Sequence, residues 1–104
     1  MYIDGMTATR RRRARAAAPE TGRILVERVQ TGVRMEKRLL KVLKALADYH
    51  DLTLGDLLEG IVLHAFEGKS PFSEASRKRI AELKRVFELT LDARASHRLQ
   101  ERAE

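Results

Sequence analysis

Apolar residues recur at helical spacing in two neighbouring stretches of the chain. In the first stretch they fall at i, i+3, i+4, i+7 and i+8, at Leu39, Val42, Leu43, Leu46 and Ala47. In the second stretch the same series continues to i+11, at Leu54, Leu57, Leu58, Ile61, Val62 and Ala65. Each series places its apolar side chains on one face, so the pattern predicts two amphipathic helices.

Residues typical of helix ends delimit these two helices. Asp51 follows the first helix and is one of the few non-glycine residues tolerated in the left-handed conformation at a helix end. Thr53, with Asp56 three residues later, is a variant of the capping box that begins a helix. Gly68 is suited to the position just beyond the second helix. The sequence therefore predicts a helix, a short turn and a second helix.

A third helical pattern begins after Pro71. Ser73 is its predicted N-cap, and the helix is expected to continue to about Gln100. A narrow, heptad-like seam of apolar and small residues runs along it, formed by Ile80, Leu83, Phe87 and Thr90. A seam this narrow is typical of a helix that docks on one other helix.

The residues ahead of the first helix favour a β-strand. Alternation places two sets of side chains on opposite faces, Val29, Thr31, Val33 and Met35 on one and Gln30, Gly32 and Arg34 on the other. The apolar run at 24–26 breaks this alternation and leaves the start of the strand open. A hairpin with its turn at 30–32 is the alternative, but its second strand would be very short.

A lone strand and two apolar helix faces call for a partner. The strand has unpaired edges on both sides, and the helix faces need a cover. Two-fold symmetry supplies both, because two copies can pair their strands antiparallel and interlock their helices. The expected dimer core consists of Val33, Met35, Leu39, Leu43, Leu46, Leu58, Ile61 and Val62.

The net charge of +6 is concentrated at the N-terminal end of the chain. Residues 1–34 contain eight arginines and three acidic residues, whereas residues 35–70 are close to neutral. Residues 1–23 are expected to form a flexible arm, because like charges repel and the segment has no core-forming period. We expect the arm to contact DNA phosphates, with a solubilising tail as the alternative. The expected contacts are Arg10, Arg11, Arg12, Arg13 and Arg15.

The order of a short strand, a helix and a capped second helix resembles the ribbon-helix-helix family of DNA-binding proteins. The matching stretch reads VQTGVRMEKRLLKVLKALADYHDLTLGDLLEGIVLHAF, over residues 29–66. The resemblance implies a fold that is mainly α with one short strand, in an intertwined homodimer with a two-stranded antiparallel ribbon. Residues 24–69 would form the DNA-binding and dimerisation domain, and residues 70–104 a C-terminal helical extension.

The resemblance also implies where DNA would bind. The ribbon would enter the major groove, with three residues of each strand facing base edges: Gln30, Gly32 and Arg34. Arginine can bind guanine with two hydrogen bonds, and glutamine can bind adenine in the same way. The start of the second helix would hold a phosphate through backbone N–H groups, at Thr53, Leu54 and Gly55.

Three residues depart from the family's pattern. Asp51 stands where glycine is usual, and Gly55 replaces a small polar residue. Gly32 replaces a base-reading side chain, which weakens the expectation of sequence readout at that position.

We therefore expect a dimeric, sequence-specific transcriptional regulator, in particular a repressor, and not an enzyme. One alternative is an antitoxin-type protein that autoregulates its operon and binds a toxin through residues 71–104. Others are a low-specificity architectural DNA-binding protein, and a basic dimerisation domain with no role in DNA binding or with RNA as its partner. Adjacent dimers on DNA are a further expectation.

Residues for other chemistry are sparse. The chain has no cysteine, and His50, His64 and His97 lack the i, i+4 spacing of a helical metal site. Nucleotide-binding glycine motifs and catalytic constellations are not recognisable either, so we expect no metal and no cofactor. No apolar run approaches the roughly 18–20 residues that span a bilayer. A cytoplasmic, nucleoid-associated protein without a membrane partner is expected.

Overall fold

The computed structural model describes residues 22–103, and every structural statement below concerns these residues. They form three α-helices, α1 (Lys37–Tyr49), α2 (Leu54–Phe66) and α3 (Glu74–Val86), followed by a short 3-10 helix (Ala93–Ala95). The described part of the chain is therefore mainly α, as its periodicity predicts.

The turn between α1 and α2 is formed by the residues that the sequence indicates. Asp51 has a φ of +57°, the left-handed conformation expected after α1. The hydroxyl oxygen of Thr53 then accepts a hydrogen bond from the Asp56 N–H at 3.0 Å and caps α2. Gly68, with a φ of +70°, follows the last residue of α2 and its cap. The predicted end of α1 and both predicted ends of α2 are confirmed.

Helix α3 begins as predicted but ends much earlier than Gln100. Ser73 caps it by accepting a hydrogen bond from the Ser76 N–H at 3.1 Å, and the last helical residue is Val86. Glu88 then takes a φ of +57°, and the Leu89 N–H donates to the Lys84 carbonyl at 2.8 Å. This reversal buries Leu89, which a continuing helix would not do. The predicted helical end is wrong because tertiary burial of one leucine outweighs continued local periodicity.

The core lies where the three helices meet. Its fully buried side chains are Leu46 and Ala47 of α1 and Leu57 of α2. Further apolar residues from the turns and from all three helices pack against them: Leu43, Leu52, Ile61, Phe72, Ile80 and Leu83. The single chain thus closes a small three-helix core, in which α3 packs on α1.

Polar contacts fix α3 at both ends of α1. Near the end of α1, the His50 Nε2 lies 3.1 Å from the hydroxyl of Ser76, a buried residue at the start of α3. At the other end, the Arg38 guanidinium donates to the carbonyl of Glu88 at 2.9 Å. The two helices therefore run antiparallel.

The predicted strand is not present in the single chain. Residues 23–36 are neither helical nor paired, and no backbone hydrogen bond joins 23–35 to another segment of the described chain. A strand is defined by hydrogen bonds to a neighbouring strand, and this fold offers none. The prediction of a short strand is therefore not confirmed by the single chain, and the ribbon and the dimer stay predictions.

Candidate nucleic-acid interface

The segment ahead of α1, residues 23–36, stands away from the helical core. Every residue from 23 to 34 is exposed, including the apolar side chains of Ile24, Leu25, Val26, Val29 and Val33. Val29 keeps 81% of its surface accessible and Val33 keeps 74%. A run of exposed apolar side chains on one segment is a feature of interaction surfaces.

Gln30 and Gly32 are both exposed. A methyl group added at Gly32 would meet nothing within 4 Å, and the residue does not take a positive φ. The fold of the single chain therefore does not require glycine at this position. Any requirement for glycine here would come from a binding partner.

Arg34, the predicted guanine-reading residue, is held by a carboxylate from the C-terminal end of the chain. Its Nε donates to the Glu101 Oε1 at 3.0 Å, and its Nη2 donates to the other carboxylate oxygen. This Nε–Nη2 edge is one of the two edges with which a guanidinium can form paired hydrogen bonds to a base or a phosphate. In the single chain, this edge is occupied.

Arg28 joins the segment ahead of α1, residues 23–36, to α2. Its guanidinium contacts Glu59 at 2.7 and 2.8 Å and Asp56 at 3.1 Å. The hydrogen bonds from Arg28 hold the pKa of Glu59 below its ordinary value, and both acids raise the pKa of Arg28. Because these side chains are exposed, the contact orients the segment more than it stabilises the fold.

The start of α2 presents the N–H groups predicted to hold a phosphate. The first N–H groups of a helix have no acceptor within it, and at α2 the first helical residues are Leu54 and Gly55. Thr53 and Gly55 are exposed, and Leu54 is half-buried. A methyl group at Gly55 would lie 3.9 Å from the Thr53 hydroxyl oxygen, an ordinary contact. Alanine at position 55 therefore fits the fold.

The predicted dimer-core residues lie at different depths. Those buried or half-buried within the single chain are Met35, Leu43, Leu46, Leu58 and Ile61. Those left exposed are Val33, Leu39 and Val62. Part of the apolar surface that the sequence predicts for the dimer core is thus covered by α3 of the same chain. The five predicted arm residues, Arg10 to Arg13 and Arg15, lie outside the described residues.

Two charged residues that the sequence reasoning missed face the predicted site. Arg28 has the same even-numbered position in the alternation as Gln30, Gly32 and Arg34, and this parity could have indicated it. Glu101 could not have been found in this way, because its partner lies 67 positions away.

Nowhere in residues 22–103 do three or more His, Asp or Glu side chains come together in a group that could hold a metal ion. Across the same residues, every helix is too short or too polar to cross a bilayer. Comparisons with protein-family models, curated proteins and solved structures find no match for this chain.

Proposed function

We propose that this chain is a DNA-binding transcriptional regulator that acts as a homodimer. Residues 24–35 of two copies would pair as an antiparallel ribbon and enter the major groove of double-stranded DNA. Gln30, Gly32 and Arg34 would face the base edges, and the start of α2 would hold a phosphate. Repression of transcription is the expected outcome of such binding at a promoter.

The observation that carries this proposal is the exposed, alternating segment directly ahead of α1. Its residues belong to no helix or strand, its N–H and carbonyl groups form no backbone hydrogen bonds to the rest of the described chain, and Val29 and Val33 are exposed. Pairing with a second copy would satisfy these backbone groups and cover both valines in one step. The segment is therefore suited to forming a strand on association.

The opposite face of the same segment carries groups that can bind DNA. Gln30 and Arg34 lie on that face of the alternation. Arginine and glutamine can each form paired hydrogen bonds with the exposed edges of guanine and adenine. Two copies related by a two-fold axis would present this set twice, as a palindromic site requires.

The start of α2 supports the same orientation. Helix N-termini bind phosphate through unpaired N–H groups and the positive end of the helix dipole. Asp56 and Glu59 would repel a phosphate there, but both carboxylates are paired with Arg28. The net charge at this end of α2 is thereby reduced, which makes the approach of a phosphate less costly.

The contacts of α3 favour a transcriptional regulator over an antitoxin-type protein that binds a toxin. The seam that suggested a partner helix includes Ile80 and Leu83, and both pack against the core of their own chain. That part of the seam is already covered, so it is not a free docking face for a second protein. A stabilising role for α3 follows from these contacts.

Selection of bound sequences from a random DNA pool at physiological salt tests the proposal. We expect a palindromic or tandemly repeated consensus. Arg34→Ala should lower affinity for the selected sequence by about 5- to 150-fold, which corresponds to the loss of one bidentate base contact. Arg77→Ala is the matched control, since Arg77 is an exposed arginine on α3, and it should change affinity far less.

Two results would contradict parts of the proposal. Equal affinity for all sequences, with a steep salt dependence, would replace sequence-specific regulation by low-specificity architectural binding. An unchanged affinity in the combined Gln30→Ala and Arg34→Ala variant would exclude base reading by the ribbon.

A further inference from the structure

The pair formed by Arg34 and Glu101 joins opposite ends of the described chain. Both oxygens of the Glu101 carboxylate accept hydrogen bonds from one edge of the Arg34 guanidinium, with 3.0 Å between Nε and Oε1. This side-on arrangement joins the two side chains by two charge-assisted hydrogen bonds. Two of the five N–H groups of the Arg34 guanidinium are thereby engaged within the chain.

The C-terminal residues reach Arg34 because they are anchored along α1. Leu89 is buried after the end of α3, and the 3-10 helix Ala93–Ala95 follows, capped by Asp92. Leu99 then lines the same apolar groove as Leu39, a groove with a volume of about 350 Å³. Glu101 lies two residues beyond Leu99, and Arg34 lies five residues before Leu39. The groove therefore brings the two charged residues to the same edge of the fold.

The contact is placed where a competing ligand can displace it. The side chain of Arg34 is 82% exposed and that of Glu101 is 66% exposed. A pair in such an environment is worth little and is weakened further by salt. A base edge in the major groove can therefore compete with Glu101 for Arg34 without any rearrangement of the core.

The other arginine of the same segment is engaged in a similar way. Arg28 contacts the carboxylates of Asp56 and Glu59 on α2. Both arginines in residues 24–35 thus face acidic groups of their own chain. The acidic groups come from two different elements, α2 and the C-terminal segment, so the pattern does not depend on one local turn.

We propose that residues 96–103 form an autoinhibitory segment, in which the Glu101 carboxylate takes the place of DNA on Arg34. The inference rests on the proposed function and adds its regulation. Free chains hold Arg34 in this internal pair, and DNA binding releases the C-terminal segment. A sequence that cannot displace Glu101 is bound more weakly, which raises the discrimination between sites.

A double-mutant cycle on DNA affinity tests this competition. Binding to a labelled random-sequence duplex pool is measured at low salt for the wild type, Glu101→Gln, Arg34→Ala and the combined variant. Glu101→Gln should tighten binding by about two- to fivefold, the range of an exposed pair, with no gain when Arg34 is already alanine. Asp48→Asn is the matched control, because it removes the same charge from an exposed residue that no cation pairs with among residues 22–103.

A second measurement needs no DNA. The Nε–H resonance of Arg34 in NMR spectra, assigned by its loss in Arg34→Ala, should shift in Glu101→Gln and stay in place in Asp48→Asn. The same resonance should shift towards its Glu101→Gln position when the free wild-type chain is moved to high salt.

The outcomes separate this inference from the function on which it rests. An unmoved Arg34 resonance in Glu101→Gln, or an equal gain in affinity with and without Arg34, overturns autoinhibition while wild-type DNA binding still supports the regulator. Absence of DNA binding by every variant overturns the regulator and autoinhibition together. A gain confined to chains that keep Arg34, with the shifted resonance, establishes the competition.

Discussion

At the scale of single residues, Glu36 lies between the segment ahead of α1 and the first residue of the helix, and it is the N-cap of α1. Its carboxylate accepts a hydrogen bond from the Leu39 N–H at 2.8 Å and another from the Arg38 Nε at 3.1 Å. The hydrogen bond from the Leu39 N–H holds the pKa of Glu36 below its ordinary value. Desolvation opposes this with a smaller effect. The ionised form of this residue therefore stabilises the start of α1.

This shift predicts a pH-dependent effect of Glu36→Gln. A carboxyl whose pKa is lowered by folding contributes stability at neutral pH. It loses this stability as the pH falls below the ordinary glutamate pKa of about 4.3 and through the lower pKa of the folded state. At pH 7 the variant should unfold more easily by about 0.5–1 kcal/mol, the usual cost of a lost helix cap. Below this window the difference from the wild type should disappear. Urea unfolding at pH 7 and at a pH below this window measures the difference in the free energy of unfolding.

The matched control for this experiment is Glu27→Gln, which changes an exposed carboxylate in the segment ahead of α1. It should leave the free energy of unfolding unchanged at both pH values. A Glu36→Gln difference that persists in full at low pH would show that the side chain acts through its shape or packing and not through its charge.

At the scale of elements, α3 determines how the single chain is stabilised. Ile80 and Leu83 pack against the core formed by α1 and α2, while Val86, one turn beyond Leu83, keeps 69% of its surface exposed. The seam of α3 is therefore in use within the chain. Its far end is not.

This difference predicts unequal effects of two truncations on α3. Leu83→Ala should lower the free energy of unfolding by about 1–3 kcal/mol, less than for a fully buried leucine because Leu83 is half-buried. Val86→Ala is the control and should cost less than about 0.5 kcal/mol, as exposed positions do. Thermal or urea unfolding checks both. Equal effects at the two positions would contradict the packing of α3 on α1.

The elements themselves were largely predictable from local signals. Caps at Thr53 and Ser73, the stop at Asp51 and the glycine after α2 act within a few residues, so the sequence determines them without reference to the rest of the fold. The end of α3 could not be predicted in this way. It depends on the burial of Leu89 in a core that three separate helices create.

At the scale of the whole molecule, the described chain leaves apolar surface for an assembly. Val29 and Val33 are exposed ahead of α1, and Leu63 and Phe66 are exposed on α2. These residues lie apart from the side chains that α3 covers. The surface that remains is therefore the surface on which the proposed dimer depends.

Pairing of residues 24–35 between two copies predicts a specific effect of Val33→Lys. A charge at this position would lie in the interface of the paired strands, so the variant should be monomeric at concentrations where the wild type is a dimer. Its helical circular dichroism should be retained, because Val33 contributes nothing to the core of the single chain. Analytical ultracentrifugation measures the association.

Val86→Lys is the control for this prediction, since it places the same charge on an exposed valine of α3. It should leave the association unchanged. A dimer that survives Val33→Lys intact would contradict pairing through residues 24–35, and dissociation by Val86→Lys alone would point to α3 as the interface.

The sequence by itself determined the helices, their caps and the alternation of residues 29–35, because these features depend on neighbours within a turn or two of chain. It also predicted that Gln30, Gly32 and Arg34 share one face of that segment, which stays a prediction. Only the tertiary structure decided that α3 folds back on α1, that Leu89 ends it early, and that Glu101 binds Arg34. Those contacts join residues far apart in sequence, and they form because burial of apolar surface brings their elements together.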